Sequence, residues 1–304
     1  MAVAGSRIDV PDAPSMDRAR VTIRLSARFL MLVPALALFI FFFVVPLIIL
    51  FVSSFYDYIR LSGIIPIFTT KNYVRILGDS YYLSIVARTL RLALLTSVCT
   101  LAIGYPVALY LLVASAKRRA LIILLVISPL LVSVVVRTFG WLIILGPNGL
   151  IDSALSLIST EHSALLHTEA AVVIGLSNVL LPFLVLSIST SLQSIDPAVP
   201  LAAASLGANP WRVFTQVILP LSLPGVAAGT LIVFSLASSS FVTPALLGGS
   251  EYKVLSSMIY QQALVLQNWP LAAALAVVLM IVVLVSVMVQ ARVIEHGRYR
   301  VVFH

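Results

Sequence analysis

Few side chains in this sequence could make or break a bond, and their placement argues against that chemistry. The four histidines, His162, His167, His296 and His304, fall in polar connections or in the tail. The run Ser238–Ser239–Ser240 lies in an apolar stretch without a histidine, lysine or carboxylate to serve as base, so a serine nucleophile has no means of activation. No HExxH pair or paired acidic motif occurs, which argues against metal-assisted hydrolysis. No GxxxxGK[ST] phosphate loop occurs either, so the chain cannot hydrolyse ATP alone. Cys99 is the one cysteine, which excludes a disulfide framework or a paired-thiol metal site. It reads as a small buried side chain.

What remains is binding chemistry inside apolar runs. Arg137 stands about eight residues before the end of one such run, where a cationic group costs on the order of 2.5–3.5 kcal/mol. It reads either as a gate or pathway residue able to contact an anionic group, or as a structural arginine bonded to carbonyls that Pro129 leaves free. Asn178 and Ser239 are donors and acceptors suited to interhelical hydrogen bonds or to lining a polar path. Trp141 and Phe241 fit an outer gate or an aromatic belt.

The elements that must hold these residues are membrane spans. Sixty-one per cent of the 304 residues are apolar and only 10% are charged, where a soluble domain has about a quarter charged. Six apolar runs approach or exceed the roughly 20 residues a spanning helix needs: 29–54, 92–114, 120–145, 170–192, 223–247 and 271–290, none with Asp or Glu. The first follows Arg7, Arg18, Arg20, Arg24 and Arg28 but is too long for a cleavable signal core, so it reads as an uncleaved span. The prolines inside these runs are tolerable because packed neighbours can satisfy the freed carbonyls.

Charge sets the orientation. With the N-terminus inside, the cytoplasmic segments carry twelve Lys and Arg and the external ones four, which places both termini in the cytoplasm. The net charge of +8 is thus a topology signal and not a nucleic-acid footprint, since the basic residues cap apolar runs instead of forming a stripe. The fold class is an all-α membrane protein: an N-terminal tail 1–28, a transmembrane domain 29–291 containing a cytoplasmic loop 193–222, and a C-terminal tail 292–304. The stretch 71–91 predicts an amphipathic helix leading into the second span. Tyr73, Tyr81, Tyr82 and Trp269 suit the membrane surface as aromatic anchors.

The 193–222 loop is unusual. Connections between spans are often short and basic, yet this one holds a single basic residue, Arg212, and is patterned as two short helices. Asp196–Pro197 and Asn209–Pro210 each pair a capping residue with proline at the first helical position. Gly207 supplies the turn between them. The first helix offers Ala202, Ala203, Ala204, Ser205 and Ala208 beside Leu206, a face on which another surface could approach the backbone closely. Docking and packing beneath the membrane domain are both open on pattern alone.

The spacing Ala202–Ala203, three residues, Gly207, nine residues, Val217–Ile218–Leu219–Pro220 resembles the signature loop of permeases in binding-protein-dependent ABC importers. Further stretches are similar to permeases of the spermidine/putrescine type, and extend the likeness over about 70–290. They are Gly104–Tyr105–Pro106–Val107–Ala108, Val136–Arg137–Thr138–Phe139–Gly140–Trp141, Phe241–Val242–Thr243–Pro244 with the residues through Gly249, Met258–Ile259–Tyr260 and Trp269–Pro270–Leu271. The resemblance implies coupling to an ATPase through Ala202, Ala203, Gly207, Ala208 and Pro220, and a solute path near Arg137, Trp141, Asn178, Ser239 and Phe241. It implies a bacterial inner-membrane location, two ATPase subunits that bind ATP and Mg, a second identical or paralogous permease, and a soluble substrate-binding protein. No cofactor is expected on this chain itself, and no nucleic-acid partner.

The family's glutamate at the start of the signature is Leu201 here, and serines stand where relatives often carry an acid before Phe241. Spans without acids offer no counter-charge to a bare polyamine, so a zwitterionic or anionic solute, such as an opine or amino-acid derivative, stands beside a polyamine-like one. A self-sufficient secondary transporter would usually show intramembrane acids for ion coupling, and their absence favours an external ATPase.

Overall fold

The computed structural model describes residues 32–59, 63–147, 149–155 and 165–295. The basic N-terminal tail, most of the C-terminal tail, and His162, His296 and His304 lie outside the described residues. The chain separates into two compact units, 1–52 and 53–304.

Helix α1, Leu32–Ser53, falls in the first unit except for its last residue. It contains a π-turn at Ile40–Val44, in which the Val45 amide donates to the Ile40 carbonyl. The turn immediately precedes Pro46, which has no amide hydrogen to donate, and a widened turn accommodates that loss.

The second unit opens with an antiparallel hairpin, β1 (Asp57–Ile59) and β2 (Gly63–Ile65). It continues through α2 (Lys71–Gly78), α3 (Ser80–Val113), α4 (Ala116–Ile127), α5 (Val134–Leu145), α6 (Leu150–Leu155), α7 (Glu169–Gln193) and α8 (Ala198–Ser205). Helix α9 covers Pro210–Ser239, α10 Leu255–Tyr260, and α11 Trp269–Glu295. Six helical stretches among the described residues are long and apolar enough to cross a membrane: α1, α3, Val134–Ser153, α7, α9 and Trp269–Arg292.

Three local features depart from the sequence expectation. The expected amphipathic helix 71–91 breaks after Gly78, where Asp79 turns extended and its carboxylate caps Tyr81 N–H, starting α3. The apolar run 120–145 is two helices, because a 3-10 turn at Ser128–Leu131 around Pro129 and an extended Val132 divide α4 from α5. The second short helix of the 193–222 loop does not end before the fifth span. It runs into it without interruption as α9, through a π-turn at Phe214–Ile218 just ahead of Pro220.

The core is built on α7. It packs along α3 and α9, which also meet each other, and buries Leu92, Leu176, Leu184, Ile188, Val233 and Phe234. Close approach is possible because α9 carries Gly225 and Gly229 one turn apart, a small-xxx-small face. A Cβ at Gly225 would lie 2.4 Å from Ser191 Cβ, and one at Gly229 would lie 2.9 Å from Leu184 Cδ1. Ser187 Oγ donates to the Gly225 carbonyl at 2.9 Å across the same contact. A second cluster, with Ile76, Ile85, Leu255, Leu271 and Leu275, ties α2, α3, α10 and α11 together.

Candidate functional site

The loop between α7 and α9 is shaped by its own sequence. Asp196 Oδ1 accepts the Ala198 amide at 2.8 Å at the start of α8. At the other end, the Ala208 amide reaches the Ala203 carbonyl and the Gly207 amide reaches the Ala204 carbonyl, the paired bonds of a Schellman stop. That stop requires a left-handed residue, and Gly207 has φ +87. Asn209 Oδ1 then accepts the Arg212 amide at 2.8 Å and restarts the helix with Pro210 at its first position. Asp196, Gly207 and Asn209 each make the backbone contacts expected of them, with Pro197 standing one residue ahead of α8.

Helix α8 shows its apolar side chains to the surroundings. Leu201 is 67% exposed, Leu206 89% and Trp211, just beyond it, 70%. Ala202 and Gly207 are exposed, and Ala203, Ala208 and Pro220 are half-buried. The base of the loop is anchored instead. Phe214 stands between Trp211 and Tyr105, with ring centroids 5.6 and 6.1 Å away. The Tyr105 hydroxyl meets Ser222 Oγ at 2.9 Å, joining α3 to α9. The helix that follows the Gly207 turn is therefore continuous into the span and held near its base by α3.

Within the spans, a cleft of about 330 Å³ opens between α3, α5 and α7. Cys99, Trp141, Ser177 and Asn178 supply its polar and aromatic groups, and Ile103 and Leu181 part of its apolar wall. Ser177 Oγ is buried and meets no hydrogen-bond partner among the described residues. Arg137 lies one turn before Trp141, on the same side of α5. Its Nε and Nη1 are buried, and the carbonyl bonds that a structural arginine would make are absent among the described residues.

The five expected path residues thus separate. Trp141 and Asn178 come together in the cleft and Arg137 adjoins it in sequence register. Ser239 is exposed and donates back to the Ser235 carbonyl at 3.0 Å, as Ser235 and Ser238 do to Leu231 and Phe234, so these three serines are satisfied along their own helix. Phe241 stacks on Tyr260 at 4.5 Å, outside the cleft lining. Cys99, read from sequence as a buried filler, is half-buried and lines the cleft. Neither Cys99 nor Ser177 carried a sequence signal, because a small residue in an apolar run looks the same on either face.

Sequence reasoning also missed a polar bracket at the start of α7. Glu169 Oε2 lies 2.8 Å from Arg91 Nη2 of α3, and its Oε1 accepts the Tyr252 hydroxyl at 2.9 Å. A single carboxylate opening a long apolar helix was the available signal.

Residues 118–298 match the family described as the binding-protein-dependent transport system inner membrane component. The spermidine/putrescine transport system permease protein PotB of Escherichia coli (strain K12) is 32% identical over 249 residues, 81% of this chain and 89% of that protein. The inner membrane ABC transporter permease protein YdcU of the same strain is 28% identical over 235 residues, 73% of this chain and 74% of YdcU. A chain of a bacterial alginate ABC transporter, crystallised with an alginate pentasaccharide-bound periplasmic protein, superposes with a TM-score of 0.75 at 21% identity, covering 91% of this chain and 98% of that one. A chain of the inward-facing MetNI methionine ABC transporter reaches 0.55 at 19% identity, covering 70% and 94%. These two structures share the fold.

Permease subunits of this kind are not enzymes, bind no cofactor themselves, and work with an ATPase and a solute-binding protein. With its six apolar helices and its match over 118–298, the chain belongs to the binding-protein-dependent inner membrane component family, as the multi-pass permease subunit of an ABC importer.

Proposed function

We propose that this permease forms half of the translocation path for a polyamine-like small organic solute and takes its power stroke through α8. The likeness to the spermidine/putrescine permease supports the solute class. The coupling role rests on one observation: α8 presents Leu201, Leu206 and its alanines outward, yet is joined through the Gly207 turn to a helix that crosses the membrane. An exposed apolar face on a short, well-capped helix is a docking surface, and a continuous α9 is the lever that carries its movement to the core.

In this reading the loop and both termini are cytoplasmic. Two ATPase subunits bind ATP and Mg and engage the loops of two permeases, identical or paralogous, related by a two-fold axis. A soluble receptor delivers solute on the other side. Closure of the ATPases rocks α3, α7 and α9 between inward- and outward-facing arrangements. Ala202, Ala203, Gly207, Ala208 and Pro220 serve coupling. Trp141 and Asn178 line the path, with Arg137 beside them and Ser239 and Phe241 near its end.

A second solute class is favoured by one feature. The unpartnered nitrogens of Arg137 suit a zwitterionic or anionic cargo better than a bare polyamine. A binding screen on the cognate receptor separates the two: preference for spermidine or putrescine supports the first, and preference for a carboxylate-bearing solute overturns it. Gly207→Pro and Ala203→Glu test coupling. Both proteins should insert normally and lose uptake, and survival of transport and ATPase association in both would refute the role of the loop.

A further inference from the structure

Helix α2 is too short to span and too exposed to belong to the core. Around its axis the eight residues sort into three sectors. Asn72, Tyr73 and Ile76 face inward: Ile76 is buried against α11, the Tyr73 hydroxyl meets Ser54 Oγ, and the Asn72 amide nitrogen donates to the carbonyls of Ser54 and Tyr56. Lys71 and Arg75 form a basic stripe, with Lys71 2.7 Å from Asp57 and the Arg75 guanidinium 5.8 Å from the Tyr82 ring centroid. Between these sectors stand Val74 and Leu77, 67% and 63% exposed, with the exposed Phe68 just ahead of the helix.

The position of α2 selects the occupant of this apolar sector. The helix packs against both α3 and α11 near the first residues of each. Tyr81 and Trp269, 46% and 51% exposed, stand in the first turns of those two helices, and aromatic side chains at the ends of spans mark a bilayer boundary. The exposed apolar strip therefore lies beside the starts of two spans. A strip of apolar side chains bordered by a basic one is what a helix lying in the headgroup layer presents, acyl chains on one side and phosphates on the other. Arg75 makes no ion pair among the described residues, so its charge is available to a phosphate.

We infer that α2 lies in the plane of the membrane as a lipid-seated strut, with Val74, Leu77 and Phe68 in the acyl boundary and Arg75 at phospholipid phosphates. So seated, it holds the hairpin and the starts of α3 and α11 at a fixed depth while the core moves.

The test uses the assembled transporter with Cys99→Ser, carrying Val74→Cys, Leu77→Cys or, as an aqueous reference, Glu251→Cys. Each is labelled with an environment-sensitive fluorophore and reconstituted in vesicles of phosphatidylethanolamine and phosphatidylglycerol. Probes at 74 and 77 should be quenched by lipid nitroxides placed just below the headgroup. Iodide should quench them several-fold less than the probe at 251. Iodide quenching equal to that at 251, without nitroxide quenching, would overturn the inference. So would shielding from both quenchers that appears only when the binding protein is added, since a protein would then cover the face. Positions 74, 77 and 251 are exposed and Cys99→Ser is close to isosteric, so loss of folding does not confound the result.

Discussion

Arg91 Nη2 lies 2.8 Å from Glu169 Oε2, so a charge on the flank of α3 is fastened to the first turn of α7. The same carboxylate accepts the Tyr252 hydroxyl, which draws the segment after α9 into the bracket. Burial, and then the bond to Glu169, raise the pKa of that hydroxyl and keep it protonated. We expect Tyr252→Phe to lower stability by about 1 kcal/mol, the net worth of one such bond. A group whose pKa is raised on folding contributes fully below its unfolded value, about 10 for a phenol, and loses that contribution as pH climbs further. Thermal melts of the wild type and Tyr252→Phe should therefore differ at neutral pH and converge in strong alkali.

The two glycines of α9 should not be equivalent. A methyl at Gly225 meets Ser191 Cβ and the Ser187 carbonyl, neither of which can move without shifting the α7 backbone. At Gly229 the nearest atom is the end of the Leu184 side chain, which can rotate. Gly225→Ala should cost about 1–3 kcal/mol, the usual toll of overpacking, and Gly229→Ala clearly less. Melting temperatures of the two purified variants measure the order, and equal losses would refute the packing account.

Removing Arg137 should separate stability from transport. Its buried Nε and Nη1 have no partner among the described residues, and an unsatisfied buried donor costs about 1–3 kcal/mol. Arg137→Met should leave the melting temperature unchanged or raised while solute uptake falls. A sharp drop in melting temperature would instead mean that the guanidinium holds the fold together.

Cys99 makes the cleft directly observable, since it is the only thiol and lines the space beside Trp141 and Asn178. A small membrane-impermeant thiol reagent should modify it at a rate that changes with the nucleotide state of the complex and falls when solute is present. A rate indifferent to both would place the path elsewhere. Asn178→Leu should lower uptake without affecting ATPase association.

Much of this was legible in one dimension. Helix ends are decided by groups a few residues apart, so Asp196, Gly207 and Asn209 announced the α8 loop and all three act as their types require. Span number followed from run lengths, because a helix needs about 20 apolar residues to cross a bilayer. Continuity was harder to read. The loop reads as two short helices separate from the fifth span, but the π-turn at Phe214–Ile218 absorbs the hydrogen bond that Pro220 lacks and fuses the second of them to the span. Around Pro129 the chain breaks instead, into α4 and α5. Local sequence names the residue at risk, while packing decides whether a wider turn or a break is cheaper.

By itself the sequence determined a six-span permease with a capped loop ahead of the fifth span, since hydropathy, capping and spacing are properties of neighbours along the chain. Only the tertiary structure decided which polar residues share a space. Trp141 and Asn178 meet Cys99 and Ser177 across three helices, while Ser239 bonds its own helix and Phe241 stacks on Tyr260. Helix rotation sets that division. In an all-apolar run facing lipid on one side and protein on the other, hydrophobicity carries no periodic mark of which face turns inward.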